Sequence, residues 1–167
     1  MLFRSENSAA ITSLRIWYCS YKTTTPISAF ENIEELEIAG FPDTSLEALS
    51  KLKKLKKLQV IHLPKVTDLA PLSSFPELMS LSLETLPSWD SSGKKSLVAS
   101  LEPVANIQLL QHLSLLGVVP NDFSLAAIER CKKLRSAKFH GYPKVEVARF
   151  FAATGISNEH NPNHLVR

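Results

Sequence analysis

Residues 51–60 read KLKKLKKLQV. Five lysines and three leucines fill the first eight positions, and the chain then turns apolar. Read alone, the run is a basic arm suited to a polyanion or a membrane surface. Read with its surroundings, it is one phase of a pattern. LKKLQV from Leu55 fits the spacing L-x-x-L-x-L, and five other segments fall on the same template. They are ITSLRI from Ile11, IEELEI from Ile33, LMSLSL from Leu78, LQHLSL from Leu110 and LRSAKF from Leu134. Successive starts lie 22, 22, 23, 32 and 24 residues apart. A fixed period of this length marks a chain built from stacked units, none of which buries its apolar face alone.

A second marker recurs after each strand from the second unit onward. An apolar residue is followed by proline at Phe41-Pro42, Leu63-Pro64, Leu86-Pro87, Val119-Pro120 and Tyr142-Pro143. Proline donates no ladder hydrogen bond, so it is expected to end each strand. The pattern then changes period. In 44–55, 66–75, 95–110 and 123–134 apolar residues recur at three- and four-residue spacing, which predicts helices. Thr44 and Asn121 or Asp122 are the expected N-caps, with Thr67-Asp68 opening the third helix and Pro71 and Pro76 keeping it short or 3₁₀-like. In this frame Leu52, Leu55 and Leu58 are core residues, and the lysines between them form a solvated face. CKKLR at 131–135 repeats the same chemistry at the same phase.

The six segments resemble those of the leucine-rich repeat family, over nearly the whole chain from about Ile11 to about Tyr142. VTDLAPLSSFPELMSLSL (66–83) is similar to the short 22-residue class of bacterial internalin-like proteins and eukaryotic phosphatase regulators. CKKLRSAKF is similar to the cysteine-containing class of ubiquitin-ligase adaptors. The resemblance implies an α/β fold: a right-handed solenoid with a parallel sheet on its concave face and short helices or 3₁₀ turns on its convex face. It also implies protein binding, usually through the concave face. The family's ninth repeat position is normally Asn or Cys, whereas this chain has Cys19, Phe41, Leu63, Leu86, Val118 and Tyr142. Apolar packing followed by proline replaces the asparagine ladder.

One domain is expected over 1–167, with units starting near 11, 33, 55, 78, 110 and 134 and an insertion at 88–96. A helix at 144–156 is expected to cap the last unit through Val147, Phe150 and Phe151, ahead of a flexible tail at 157–167.

Within a strand x-L-x-L-x the leucines point inward and the x residues outward. The outward positions form three columns: Ser13, Glu35, Lys57, Ser80, His112 and Ser136; Arg15, Glu37, Gln59, Ser82, Ser114 and Lys138; Trp17, Ala39, Ile61, Glu84, Leu116 and His140. Arg15 faces Glu37 and Glu35 faces Lys57, which makes the centre mixed in sign and argues against nucleic acid. Trp17 and Ile61 flank the small Ala39 and Gly40, with Tyr18 and His62 adjacent. Aromatic anchors beside small residues suit an interface hot spot. The expected contact for a protein partner centres on Trp17, Tyr18, Ile61 and His62 and extends to Leu116 and His140, with Trp89 in the insertion as a second contact.

Other chemistry is poorly served. Pro162 separates His160 from His164, so they form no helical metal pair. His112 and His140 lie near Ser114 without an orienting acid or an oxyanion hole in view. The five glycines do not cluster into a phosphate loop. No catalytic residue, metal or cofactor is expected. Cys19 and Cys131 are expected in the core or ladder, in a reducing compartment. The chain carries a net charge of +3, with 44% apolar and 21% charged residues. Its N-terminal stretch lacks a secretory apolar region, and no apolar run reaches the ~18 residues of a membrane span. The expectation is a cytoplasmic protein-binding module, an adaptor or an inhibitor of the kind that blocks a toxin. The alternatives are a substrate-recognition piece of a larger ubiquitin ligase or effector, and a weak nucleic-acid binder acting through Lys51–Lys57 and Lys132–Lys133.

Overall fold

The apolar period becomes a stack. A computed structural model describes residues 8–158. Strands β1 (Ser13–Trp17), β2 (Glu35–Ala39), β3 (Lys57–Ile61) and β4 (Ser80–Glu84) lie side by side, followed by β6 (His112–Leu116) and β8 (Ser136–His140). Every pairing is parallel and in register, so Leu14, Leu36, Leu58, Leu81, Leu113 and Ala137 stand abreast. Ile16, Ile38, Val60, Leu83, Leu115 and Phe139 form the next inward row. Side chains alternate across a strand, so both rows enter one continuous core. The architecture is an α/β leucine-rich repeat solenoid of six coils.

The return limbs are short helices and 3₁₀ turns, as the resemblance implies, and the 3₁₀ form prevails over the helices predicted from the three- and four-residue spacing. They are mostly single 3₁₀ turns, at Thr25–Ala29, Glu47–Leu49, Ala70–Ser74 and Ala126–Arg130, with one α turn, α2 (Glu102–Ala105). The apolar positions explain this. Leu46, Leu49, Leu52, Leu55 and Leu58 recur every three residues, as do Leu69, Leu72, Phe75, Leu78 and Leu81, and all ten are buried. A three-residue period is that of the 3₁₀ helix, whose rise of ≈ 2.0 Å per residue carries the chain across the coil faster than the α-helix's 1.5 Å. The backbone follows the same count: Leu49 N–H donates to Leu46 O (2.9 Å), Leu52 to Leu49 (2.9 Å) and Leu55 to Leu52 (3.2 Å). Val104, Ile107 and Leu110 repeat this ladder from Leu101, and Ile128, Cys131 and Leu134 repeat it from Leu125. The amides at every third position are thus satisfied within their own limb.

Thr44 and Asn121 are not the caps. The capping oxygens sit one residue before the first buried position of each limb. Ser45, Asp68, Ser100 and Ser124 accept the amides of Glu47 (3.1 Å), Ala70 (2.8 Å), Glu102 (3.0 Å) and Ala126 (3.2 Å). Asp122 instead closes a turn with the Ser124 amide (3.0 Å).

Nor does proline end the strands of the six-stranded sheet. Each stops two or more residues earlier, next to a recurring backbone position held by Tyr18, Gly40, His62, Thr85, Gly117 and Gly141. Five of these six have positive φ, with Thr85 the exception. Pro120 is the last residue of a strand outside that sheet: β5 (Ser96–Val98) and β7 (Val118–Pro120) pair in parallel as a second, two-stranded sheet. The polar 88–96 stretch is correspondingly not a plain loop. Pro87–Ser91 forms α1, and Ser96 already belongs to β5.

At the C-terminal end α3 (Lys144–Thr154) covers the last coil with Phe150 fully buried and Val147 and Phe151 partly so. It stops short of 156 because Gly155 takes φ 65° and returns its amide to Phe151 O. Ser157 is not in a free tail; it bridges to Ser136. The rest of the expected tail, from 159 onward, lies outside the described residues, as do His160 and His164. Cys19 is exposed rather than in the core, because the chain leaves the sheet after Trp17, whereas Cys131 continues the buried period of its limb and is half-buried. Burial pushes the Cys131 thiol up to about 11. No described helix is long and apolar enough to cross a membrane.

Candidate functional site

The outward residues of the six strands form a floor with two kinds of ends. In the middle, Ser80, Ser82 and Ser114 are small enough to be buried between their strand neighbours, and Ser136 on the last strand is buried too. Glu84 is held over them by Gln59 Nε2 (2.9 Å) and Ser82 Oγ (2.7 Å). His112 Nδ1 lies 2.7 Å from Ser136 Oγ, not Ser114, and that pair holds β6 to β8. On the N-terminal side Arg15 Nε donates to Glu37 Oε2 at 2.8 Å across adjacent strands. Glu35 and Lys57 face each other in register, but among the described residues no ion pair joins them. Lys56 pairs with Glu34 instead (2.8 Å).

The third column runs Trp17, Ala39, Ile61, Glu84, Leu116, His140 across the sheet. Ala39 is completely covered between Trp17 and Ile61. Trp17 and Tyr18 each remain 52% exposed and meet edge to face, ring centroids 5.7 Å apart. Gly40 makes room for this pair: a Cβ there would sit 3.3 Å from the Tyr18 ring. Ile61 is half-buried beside the floor. Leu116 and His140 adjoin each other at the other end, with Glu84 between them and Ile61. The expected contact is therefore two clusters on one face, separated by a carboxylate.

Trp89 and His62 were singled out separately by the sequence, and the fold joins them. α1 brings the Trp89 ring edge-on to the imidazole with centroids 5.1 Å apart. Lys94 lies over the Trp89 ring at 5.9 Å. His62 Nδ1 is buried without a hydrogen-bond partner, and burial holds the imidazole below its ordinary pKa. Tyr18 (φ 45°) and His62 (φ 62°) both hold left-handed backbone, a conformation that costs a residue with a Cβ. The sequence did carry a signal for this. Glycine fills the same phase at Gly40, Gly117 and Gly141, which marks it as a left-handed position.

Three of the five lysines of 51–57 are engaged with neighbouring coils. Lys53 Nζ donates to Ser74 O (3.0 Å), Lys54 Nζ to Asn32 Oδ1 (2.6 Å) and Lys56 Nζ to Glu34 (2.8 Å). Each partner is on an adjacent coil, so the basic run stitches the stack along its side.

No protein-family model matches the chain, and no curated protein matches it. Solved structures do. An internalin from Listeria monocytogenes aligns at 19% identity over 78% of this chain and 48% of its own, with a TM-score of 0.39. Internalin C2 from the same organism aligns at 16% identity over 90% of this chain and 79% of its own, TM-score 0.44. A leucine-rich repeat protein from Leptospira interrogans aligns at 16% identity over 80% and 44%, TM-score 0.44. This chain spans about half the length of the first of these and less than half of the third.

Proposed function

We propose that this chain is a protein-binding module that acts without covalent chemistry, as an adaptor or an inhibitor, by presenting a rigid concave sheet. One observation carries the reading. Trp17 and Tyr18, two aromatics in edge-to-face contact, stand half exposed at one end of the sheet face, beside the covered Ala39 and half-buried Ile61. Large rigid rings next to a flat floor gain contact area at little entropic cost, which is how interface hot spots work. His62 and Trp89 extend the same edge. The in-register ladders support rigidity: the floor moves only if whole coils move. Cytoplasmic action, including occlusion of a toxin by a small immunity-type protein, fits this surface, as does substrate recognition within a larger enzyme. The lysine clusters favour nucleic acid less, since Lys53, Lys54 and Lys56 already hold partners within the fold.

The experiment is capture of a partner from native extract, its identification, and titration of that partner with wild-type and Trp17→Ala chains of matched circular dichroism. A loss of about thirtyfold, the size of a hot-spot truncation of ~2 kcal/mol, is expected. Unchanged affinity removes Trp17 from the interface and this site with it.

A further inference from the structure

Beyond the concave face, an open groove of about 550 Å³ lies between the last strand and the capping helix. Its apolar wall is made by Phe139, Tyr142, Val147 and Phe151, and its polar rim by Lys95, Lys144, His140 and Asn158. Two of these rim residues are lysines, and none of the described lining residues is acidic. Nearby carboxylates are turned elsewhere. Asp122 accepts the Ser124 amide (3.0 Å), and Glu146 takes the Leu125 amide and Arg149, both at 2.7 Å.

Lys95 reaches the groove by an unusual route. It comes from the long fourth coil, just ahead of β5, and lies across two left-handed glycines. A Cβ on Gly141 would sit 3.4 Å from Lys95 Cε and 3.3 Å from Gly117 Cα. The two glycines thus leave a trough in which the aliphatic stem rests, while the ammonium sits 4.9 Å from the centre of the Phe123 ring. Phe123 itself holds left-handed backbone, φ 55°. The extra residues of the fourth coil therefore deliver a cation to the far end of the solenoid, two coils away.

We propose that this groove is a second docking site, for an acidic segment of a protein partner whose carboxylates meet Lys95 and Lys144 while an intervening aromatic or aliphatic side chain enters between Phe139, Tyr142 and Phe151. Charge complementarity selects the occupant. Two lysines beside an apolar wall suit alternating acidic and apolar residues, whereas a nucleic acid needs a longer run of phosphate contacts.

The test uses the full chain, labelled with ¹⁵N and titrated with a short capped peptide alternating glutamate with leucine and phenylalanine. The expected result is shifts confined to the amides of Gly141, Lys144, Ala148 and their neighbours. Binding should weaken with added salt and fall about tenfold or more in a Lys95→Gln/Lys144→Gln variant, as two charge-assisted contacts are lost. Trp17→Ala should leave this titration unchanged, so the groove and the concave contact succeed or fail separately. Equal binding of a lysine-for-glutamate peptide, or undiminished binding by the double variant, overturns the proposal. A groove that responds only to a single-stranded oligonucleotide overturns it in favour of nucleic acid. Nuclear Overhauser contacts from residues 159–167 into the groove that the peptide fails to displace assign it to this chain's own tail.

Discussion

The two ends of the sheet are finished in different ways. Past β8 the chain adds α3, which sets Phe150 edge-on to Phe139 at 5.0 Å and to Phe151 at 5.4 Å. Tyr142 joins this cluster 5.7 Å from Phe139 and donates its hydroxyl to Val118 O at 2.9 Å. Ser157 then continues the hydrogen bonding beyond β8, accepting from the Ala137 amide and donating to Arg135 O. Past β1, the described chain offers one short 3₁₀ turn, Ser8–Ala10, tied to the second coil by Asn32 Nδ2 donating to Ala9 O (2.7 Å). Within β1 only Ile16 is buried, and Leu14 is half-covered. A solenoid is stabilised by neighbour contacts, so an interior coil gains on both sides and an end coil on one. Aromatic packing makes good that loss at the C-terminal end. At the N-terminal end, the edge-to-face pair of Trp17 and Tyr18 stays half exposed, and the proposed function uses that pair as its contact.

The largest test of this contrast substitutes one aromatic at each end. Phe150→Ala empties a fully buried site in the cap and is expected to cost about 3–5 kcal/mol in urea unfolding. Trp17→Ala removes a ring that is half in water and is expected to cost no more than about 1 kcal/mol. Equal costs at the two sites would show that the N-terminal pair is structural, and would weaken its reading as a contact surface.

The coils were legible because burial repeats a local rule six times. Leu36, Leu58, Leu81 and Leu113 sit in register as the L-x-x-L-x-L template requires. The resemblance allows 3₁₀ turns in the return limbs, but the spacing reads as helical: Leu46, Leu49, Leu52 and Leu55 keep a strict three-residue period that a looser three-or-four count blurs into an α-helix. Strand ends were assigned to proline because proline is conspicuous, while the left-handed phase shared by Gly40, Gly117 and Gly141 is hidden by Tyr18, His62 and Thr85. At the candidate site, the exposure of Trp17 followed from its column. The meeting of His62 with Trp89 and the path of Lys95 did not, since both depend on how an insertion without a repeat partner folds.

A finer comparison lies at Tyr18, which occupies with a side chain the phase that glycine takes in other coils. Tyr18→Gly and Tyr18→Ala lose the same ring, and they differ in whether the new residue accepts φ 45°. The glycine variant should be the more stable by about 1–2 kcal/mol, although glycine ordinarily destabilises a strand end relative to alanine. Thermal or urea midpoints of the two proteins measure this. If alanine is the more stable, the N-terminal backbone is not held in the left-handed region in solution, and the two ends differ less than their backbones indicate.

The smallest effect concerns His62, which shares the phase of Tyr18 but is covered by Trp89. Burial lowers the pKa of the folded imidazole from its ordinary 6.5, so the native state favours the neutral ring. Above that ordinary value His62 is neutral in both states and its contribution is fully present. As pH falls below it, the unfolded chain takes up the proton first, and stability is lost down to the lower folded value. His62→Asn keeps a residue tolerant of left-handed backbone and removes the titration. The wild type should therefore lose more stability than the variant between about pH 7.5 and about pH 5, measured by urea unfolding. The difference is expected to be modest, because the ring keeps part of its surface in water. Parallel pH profiles for the two proteins would mean that the Trp89 contact leaves His62 open to solvent, and that the covered and uncovered members of this backbone phase are alike.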